Sequence, residues 1–173
     1  VTALCPGFTY SEFHDVNGMR EKVSKLPKLL WPDSDQVARL GVAAVRGFQG
    51  DATFGDKTRI IATLKHYAAH GQPESGTNCA PVNVSMRVLR ETFLSTFKAA
   101  VQEGGALSVM PSYNEIDGVP SHANRWLIEE VLRGEWGFRG FTVSDYFAIR
   151  ELNETKTNAT SHYVARDGKH AAE

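Results

Sequence analysis

One carboxylate, Asp145, lies where an apolar run of the chain ends, and this position makes it a candidate catalytic residue. Residues 141–146 read Phe-Thr-Val-Ser-Asp-Tyr, and such a β-branched run without Gly or Pro predicts a buried parallel strand. In folds that alternate strands and helices, strand ends of this kind carry catalytic side chains, because the strand is rigid and the loop after it faces the substrate. The alternative is that Asp145 caps the next helix, since Asp is a favoured N-cap residue.

Two earlier apolar runs also end in polar or titratable groups. Residues 59–64 lead into Lys65 and His66, and residues 106–111, which include Met110, lead into Ser112 and Tyr113. Both runs are predicted to be strands. Three strands that end in such groups favour a shared site over an isolated helix cap.

Helical patterns separate these three predicted strands. The first helix has apolar residues every three or four positions: Met86, Leu89, Phe93, Phe97 and Ala100. The second is shorter and has an apolar stripe formed by Leu127, Ile128, Val131 and Leu132. Asn124 is its predicted N-cap, and Gly134 and Gly137 are its predicted stop signals. The order β-α-β-α-β predicts right-handed crossovers and a parallel sheet.

Several short motifs of this chain resemble, in order and spacing, glycoside hydrolase family 3, which contains β-glucosidases and β-xylosidases. The motifs are KHY at 65–67, ESGTN at 74–78, RVLRE at 87–91, SVMPSYN at 108–114, DGVP at 117–120, LRGEWGFRG at 132–140 and SDY at 144–146. The resemblance runs from about residue 35 to residue 149 and continues more weakly to residue 173. We therefore divide the chain into residues 1–31, without a clear match, and residues 32–173, part of the family's N-terminal barrel domain.

The resemblance implies roles for particular residues. Asp145 matches the family's nucleophile, which attacks the anomeric carbon of a sugar and forms a covalent glycosyl-enzyme. Lys65 and His66 match the pair that hydrogen-bonds sugar hydroxyls, and Tyr113 and Met110 match residues of the same sugar subsite; for Met110, a role as core filler stays open. Tyr146 takes the place of a tryptophan that commonly follows the nucleophile, so an aromatic wall is retained.

The resemblance also implies an α/β fold of the TIM-type (β/α) barrel kind, of which this chain supplies only a part. A complete barrel takes roughly 250 residues, whereas this chain has 173. The loops at residues 71–81 and 153–161 are predicted to lie over the mouth of the active site. An arginine that grips the sugar in the family is not recognisable, because the segment 29–36 departs from the family pattern.

No residue of the chain can be assigned as the general acid. A retaining glycosidase needs a second carboxyl group about 5 Å from the nucleophile, and the family usually supplies it from a distant loop or a second domain. The role can be given to none of five glutamates: Glu74, Glu115, Glu129, Glu130 and Glu135. We therefore expect the isolated chain to be catalytically silent and to associate, either with itself or with the rest of such an enzyme.

Composition excludes several other classes. Lys plus Arg number 19 against 20 for Asp plus Glu, so nothing favours nucleic acid or an anionic membrane as a partner. No apolar run approaches the length of a membrane span, and the N-terminus lacks the layout of a signal peptide. The compartment is left open. Cys5 and Cys79 lack metal-binding spacing, so neither a metal nor another cofactor is expected.

The function expected from the sequence is removal of a terminal β-linked sugar, glucose first and xylose second, through a covalent glycosyl-aspartate. The expected partners are β-glucoside or β-xyloside oligosaccharides. A branch of the family that acts on N-acetylglucosaminides is disfavoured, because residues 65–71 read KHYAAHG and depart from that branch's pattern. The alternative is a non-catalytic carbohydrate-binding or interaction fragment that keeps the sugar subsite without the acid.

Overall fold

The computed structural model describes residues 34–51, 53, 55–153 and 161–172. The N-terminal segment 1–31 lies outside the described residues, as does most of the departing segment 29–36. Most of the loop predicted at 153–161 lies outside them as well. Six strands run in chain order through the described part: β1 (Thr63–Tyr67), β2 (Pro81–Val82), β3 (Ser108–Pro111), β4 (Glu115–Ile116), β5 (Val119–Pro120) and β6 (Phe141–Thr142).

The main sheet has the order β1-β3-β6, and both of its strand pairs are parallel. The parallel sheet predicted from the β-α-β-α-β pattern is thus confirmed. The strands are shorter than predicted: β1 begins at Thr63 instead of Arg59 and extends through Lys65 and His66 to Tyr67. Lys65 and His66 therefore belong to the end of the strand itself.

Strand β6 differs from the prediction of a buried strand. Phe141 is 51% exposed, and Thr142 is also exposed. The reason is that β6 is the outer strand of the sheet, so its second edge has no neighbour among the described residues. The described residues form an open three-stranded sheet and contain no closed barrel.

Five helices and two single 3-10 turns, Glu74–Gly76 and Ser121–Ala123, accompany the sheets in the described part. Helix α1 spans Ser34–Gln49 and helix α3 spans Trp126–Glu135. Helix α2 covers residues 86–102 and consists of the consecutive pieces Met86–Val88, Leu89–Leu94 and Ser95–Gln102. Two short helices follow the site, α4 (Ala148–Glu151) and α5 (Gly168–Ala172).

Helices α2 and α3 follow the predicted apolar stripes except at Met86. Leu89, Leu127 and Val131 are at most 1% exposed, whereas Met86 is 50% exposed and does not belong to the buried stripe. The Asn124 side chain accepts a hydrogen bond from the Leu127 amide at 3.0 Å, which confirms its capping role. Gly134 lies inside α3 and does not end it; the left-handed Gly137, with φ of 71°, follows the helix end instead.

The core lies between the main sheet and helices α2 and α3. Tyr67, at the end of β1, is fully buried, and its hydroxyl donates a hydrogen bond to the Leu127 carbonyl at 3.0 Å. Its ring makes edge-to-face contacts with Phe97 and Trp136. One aromatic side chain therefore connects β1 to both helices.

The buried side chain of Gln49 fastens α1 to the amino-terminal side of the sheet. Its amide nitrogen donates to the Gly105 carbonyl at 2.9 Å. Its amide oxygen accepts from the backbone nitrogens of Ala62, at 3.3 Å, and Leu107, at 3.2 Å. Ala62 and Leu107 directly precede β1 and β3, so Gln49 satisfies backbone groups that the strands leave unpaired.

Strands β2, β4 and β5 form a second, small sheet in the order β2-β4-β5. It is built from the segments that follow β1 and β3, and the pair β2-β4 is parallel while β4-β5 is an antiparallel hairpin. The hairpin turns at Asp117 and Gly118, both with positive φ. This sheet joins the connections that follow β1 and β3, near the carboxyl ends of the main strands.

Candidate active site

The side chains that could take part in a reaction meet at the carboxyl ends of the three parallel strands. His66 lies in β1, Tyr113 follows β3 by two residues, and Asp145 follows β6 by three residues. The ends of β1 and β3 are held together by buried polar groups of the loop after β3. The Ser112 amide donates to the Tyr67 carbonyl at 2.7 Å, and the Ser112 hydroxyl donates to the Ala68 carbonyl at 2.9 Å.

The Asp145 carboxylate has hydrogen-bonding groups on both of its oxygens. His66 Nε2 lies 3.2 Å from Oδ2, and the Tyr146 amide donates to Oδ1 at 2.7 Å. The Asp145 side chain is 14% exposed, so it is mostly enclosed yet still reachable. Asp145 does not cap α4, whose N-cap residue is Phe147 and has no side-chain capping bond. The helix-cap alternative is therefore wrong.

The electrostatics keep His66 uncharged near neutral pH. Burial lowers the pKa of His66, and the neighbouring His70 and Lys65 lower it further, while Asp145 opposes the shift. A neutral imidazole can still donate one N–H to a carboxylate. The contact between His66 and Asp145 is thus better described as a hydrogen bond than as an ion pair.

Tyr113 is a second donor at the site. Burial, followed by the negative charge of Asp145, raises the pKa of Tyr113 to about 12. The hydroxyl therefore keeps its proton at neutral pH. It also donates to the backbone carbonyl of Tyr146. Tyr113 thereby connects the loop after β3 with the residue that follows Asp145.

The other residues predicted from the sequence lie around this centre with different exposure. Lys65 is exposed and lines an apolar groove between β1 and helices α1 and α2. Met110 is partly buried within β3. Tyr146 is 75% exposed, and its ring lies 4.1 Å, centroid to centroid, from that of Phe147. The structure brings His66, Tyr113 and the Tyr146 backbone to Asp145, whereas it leaves Lys65 and the Tyr146 ring open to solvent.

Four of the five glutamates named above have partners away from Asp145. These pairs are Glu74 with Asn83, Glu115 with His162, Glu129 with Arg133 and Glu135 with Arg90. The Glu135 carboxylate receives two hydrogen bonds of 2.7 Å from the Arg90 guanidinium, which ties the end of α3 to α2. Glu130 is exposed on α3. The four paired glutamates make structural contacts, and Glu135 does so at the end of α3.

One residue beside Asp145 that the sequence patterns do not reveal is His122. It lies in the single helical turn Ser121–Ala123 after β5, and its ring bridges two backbone groups. Nδ1 lies 3.0 Å from the Ser112 carbonyl, and the Asp145 amide donates to Nε2 at 3.2 Å. A lone histidine in a turn gives no periodic signal, and the only available hint was its position two residues after the DGVP motif.

The free energy of unfolding is predicted to fall as the pH falls from about 7 to about 5, because burial lowers the pKa of His122 to about 4. The Ser112 carbonyl and Asp145 oppose this shift, and the facing His162 adds to it. In the unfolded chain the imidazole titrates near pH 6.5. The stability that the folded protein gains from keeping His122 neutral is therefore fully present above that pH, and it is lost as the pH falls towards the pKa of the folded state. Over this interval His122 accounts for a loss of about 2 kcal/mol.

Urea unfolding at pH 7 and pH 5 tests this prediction. His66, whose pKa is also lowered, contributes with the same sign. The comparison is therefore between the parent and His122→Gln, which lacks the titrating ring. The variant should lose less stability over the interval. An equal loss in both proteins would contradict the assignment to His122.

The described residues contain neither a cluster of metal ligands nor a helix that could cross a membrane. No three or more His, Cys, Asp or Glu side chains of residues 34–51, 53, 55–153 and 161–172 converge as metal ligands would. Within the same ranges, none of the helices combines the length and the apolar character that a membrane crossing requires.

Comparison with known proteins places this geometry in a family. The model of the glycosyl hydrolase family 3 N-terminal domain matches residues 31–167. A β-xylosidase from Formosa agariphila is 37% identical over 165 residues, which cover 94% of this chain and 22% of that protein. A periplasmic β-glucosidase from Salmonella typhimurium is 36% identical over 73% of this chain and 16% of its own length.

A solved structure agrees with these matches. The crystal structure of a β-glucosidase from Listeria innocua is 38% identical and superimposes with a TM-score of 0.73, covering 83% of this chain and 19% of that one. The same Listeria protein has also been solved in complex with glucose. The chain thus spans about a fifth of the length of the relatives it matches. From the matched range, the identity and the fold together, this chain belongs to glycosyl hydrolase family 3 and corresponds to part of its N-terminal domain.

Proposed function

We propose that this chain carries the nucleophile and the first sugar subsite of a retaining β-glycosidase. The observation that carries the proposal is the enclosed Asp145 carboxylate, with His66 Nε2 at 3.2 Å and the Tyr113 hydroxyl beside it. A carboxylate held by donors at the open end of a parallel sheet is suited to attack a carbon that develops positive charge. Terminal β-linked glucose is the sugar assigned first and xylose second, since relatives named for both are similar to this chain.

In the proposed reaction, an Asp145 oxygen forms a bond to the anomeric carbon while the bond to the leaving oxygen breaks. The leaving oxygen needs a proton from a general acid, and we assign that proton to no residue of this chain. Water then cleaves the glycosyl-aspartate, so the anomeric configuration is retained. His66 orients the carboxylate, and Tyr113 holds the backbone of the residue that follows it. We assign to both side chains hydrogen bonds with sugar hydroxyls.

The test is covalent trapping in the complete product of the gene that encodes this chain. A 2,4-dinitrophenyl 2-deoxy-2-fluoro-β-glucoside releases dinitrophenolate with little help from an acid, and the fluorine slows hydrolysis of the intermediate. Digestion and mass spectrometry should then locate the sugar on Asp145. A label on any other residue would refute the nucleophile assignment. Binding of glucosides without any label would favour the alternative, a non-catalytic carbohydrate-binding fragment.

Replacing Lys65 or His66 by Ala is predicted to lower kcat/KM by about 30-fold, or about 2 kcal/mol, because each variant loses a charged or buried hydrogen bond to a sugar hydroxyl. The measurement is hydrolysis of an aryl β-glucoside by the complete gene product. Lys57→Ala removes an exposed charge from a turn outside the site and is the matched control. If both site variants hydrolyse the substrate as well as the parent, the sugar-ligand roles are wrong.

A further inference from the structure

The hydrogen-bond ladder between β3 and β6 changes at the residue that bears the proposed nucleophile. Two regular bonds join the strands: the Phe141 amide to the Leu107 carbonyl at 3.1 Å, and the Val143 amide to the Val109 carbonyl at 3.0 Å. A parallel ladder advances by two residues on each strand. The next bond would run from the Asp145 amide to the Pro111 carbonyl. The Asp145 amide donates instead to Nε2 of His122.

The two contacts of the His122 ring fix its tautomer. Since Nε2 accepts the Asp145 N–H, it carries no proton of its own. The single N–H of the neutral ring is therefore on Nδ1 and donates to the Ser112 carbonyl at 3.0 Å. The imidazole is thus a spacer between the loop after β3 and the loop after β6, with a hydrogen bond at each end.

The backbone around His122 is rigid. Its neighbour Ser121 is fully buried, and the Ser121 hydroxyl donates to the Asn114 carbonyl at 2.7 Å. On the other side, Asn124 caps α3. The ring is therefore fixed from both sides before any sugar arrives, as preorganisation of a reacting group requires.

We propose that His122 is a positioning residue, whose neutral ring holds the Asp145 backbone and thereby aims the carboxylate at the anomeric carbon. This inference rests on the proposed function of Asp145. The Asp145 carboxylate is hydrogen-bonded to His66 and to the Tyr146 amide. The first contact holds only the side chain, and the second comes from the same loop as Asp145. His122 supplies the bond from the core-anchored turn to the main chain of Asp145.

Two amide variants separate the two ring contacts. In His122→Gln, the side-chain oxygen reaches the position of Nε2 and can accept the Asp145 N–H. In His122→Asn, the side-chain nitrogen reaches the position of Nδ1 and can donate to the Ser112 carbonyl, but nothing reaches Asp145. The complete gene product carries each change, and thermal unfolding verifies that it folds.

The readout is the rate of covalent labelling by the 2,4-dinitrophenyl fluoroglucoside, measured as a function of its concentration. His122→Asn should slow labelling at saturation by about 10²-fold, the cost typical of a reacting group displaced by about 1 Å. Its half-saturating concentration should change little, because the sugar contacts remain. His122→Gln should restore most of the rate. Each variant loses one of the two hydrogen bonds of the His122 ring. A purely structural role would therefore not make His122→Asn slower than His122→Gln.

Several results would overturn the inference. Labelling of both variants at the parent rate, or a faster rate for Asn than for Gln, would show that the bond to Asp145 does not position the carboxylate. A parent that is not labelled at all would instead refute the proposed function, and the positioning role with it. If either variant fails to fold, ¹⁵N NMR of the parent imidazole decides: protonated Nε2 or a charged ring at pH 7 would contradict the proposal.

Discussion

Asp145→Asn is expected to abolish formation of the glycosyl-enzyme, with a loss of about 10⁴-fold or more in turnover by the complete gene product. Asn has the same shape as Asp but lacks the negative charge with which the side chain attacks carbon. The fold should remain nearly unchanged, because the backbone bond to His122 and the Tyr146 amide contact need no charge on the side chain. The measurement is labelling by the fluoroglucoside together with steady-state hydrolysis.

Asp117→Asn is the matched control for this change. Asp117 is exposed in the β4–β5 turn and adopts a left-handed φ of 50°, a conformation that Asn accepts readily. Labelling and hydrolysis by this variant should equal those of the parent. Normal labelling of Asp145→Asn would show that another residue is the nucleophile. Loss of folding in Asp145→Asn would show that the carboxylate charge is a structural requirement of the loop after β6.

The strand and helix order could be predicted from the sequence because it depends on local patterns. The apolar spacing over residues 86–102 and the Asn124 cap depend on residues three or four positions apart. Asp145 is predictable in the same way, as a polar residue at the end of an apolar run. The family motifs then supplied roles that neither periodicity nor composition can give.

Contacts between distant backbone groups could not be predicted in this way. The Gln49 side chain bonds backbone groups just before β1 and β3. The His122 ring takes the place of a ladder bond between β3 and the chain after β6. In both cases a side chain completes the hydrogen bonding of backbone that is far away in sequence. No spacing rule identifies such a partner, because the need for it arises only when the strands are placed side by side.

Burial of β6 was mispredicted for a related reason. A β-branched run indicates a strand that is suited to burial. Whether it is buried depends on another element that packs against it, which the run itself does not reveal. Among the described residues β6 has β3 on one side only, and Phe141 is half exposed. Likewise, Ile60 and Ile61 stay exposed in the apolar groove between β1, α1 and α2, which Phe97 also helps to line.

Gly140→Ala is expected to destabilise the protein by about 3 kcal/mol, near the upper end of the range for overpacking. A Cβ atom at this position would lie 2.1 Å from the Leu107 carbonyl oxygen, far inside van der Waals contact. The Leu107 carbonyl also accepts the first ladder bond of β6, from the Phe141 amide. Relief of the clash therefore requires β6 to move away from β3. Urea unfolding measures the loss of stability.

Gly47→Ala makes the same chemical change with the opposite expected sign. Gly47 lies inside α1, and a Cβ there would have nothing within 4 Å, so Ala should stabilise by about 0.5–1 kcal/mol through the entropy of the unfolded chain. Because β6 leads directly to Asp145, Gly140→Ala should also slow labelling by the fluoroglucoside under conditions where the variant is still folded. A Gly140→Ala protein as stable as the parent would show that β6 can move away from β3 without a loss of stability. Strand β6 would then not be rigid enough to position Asp145 and its hydrogen bond to His122.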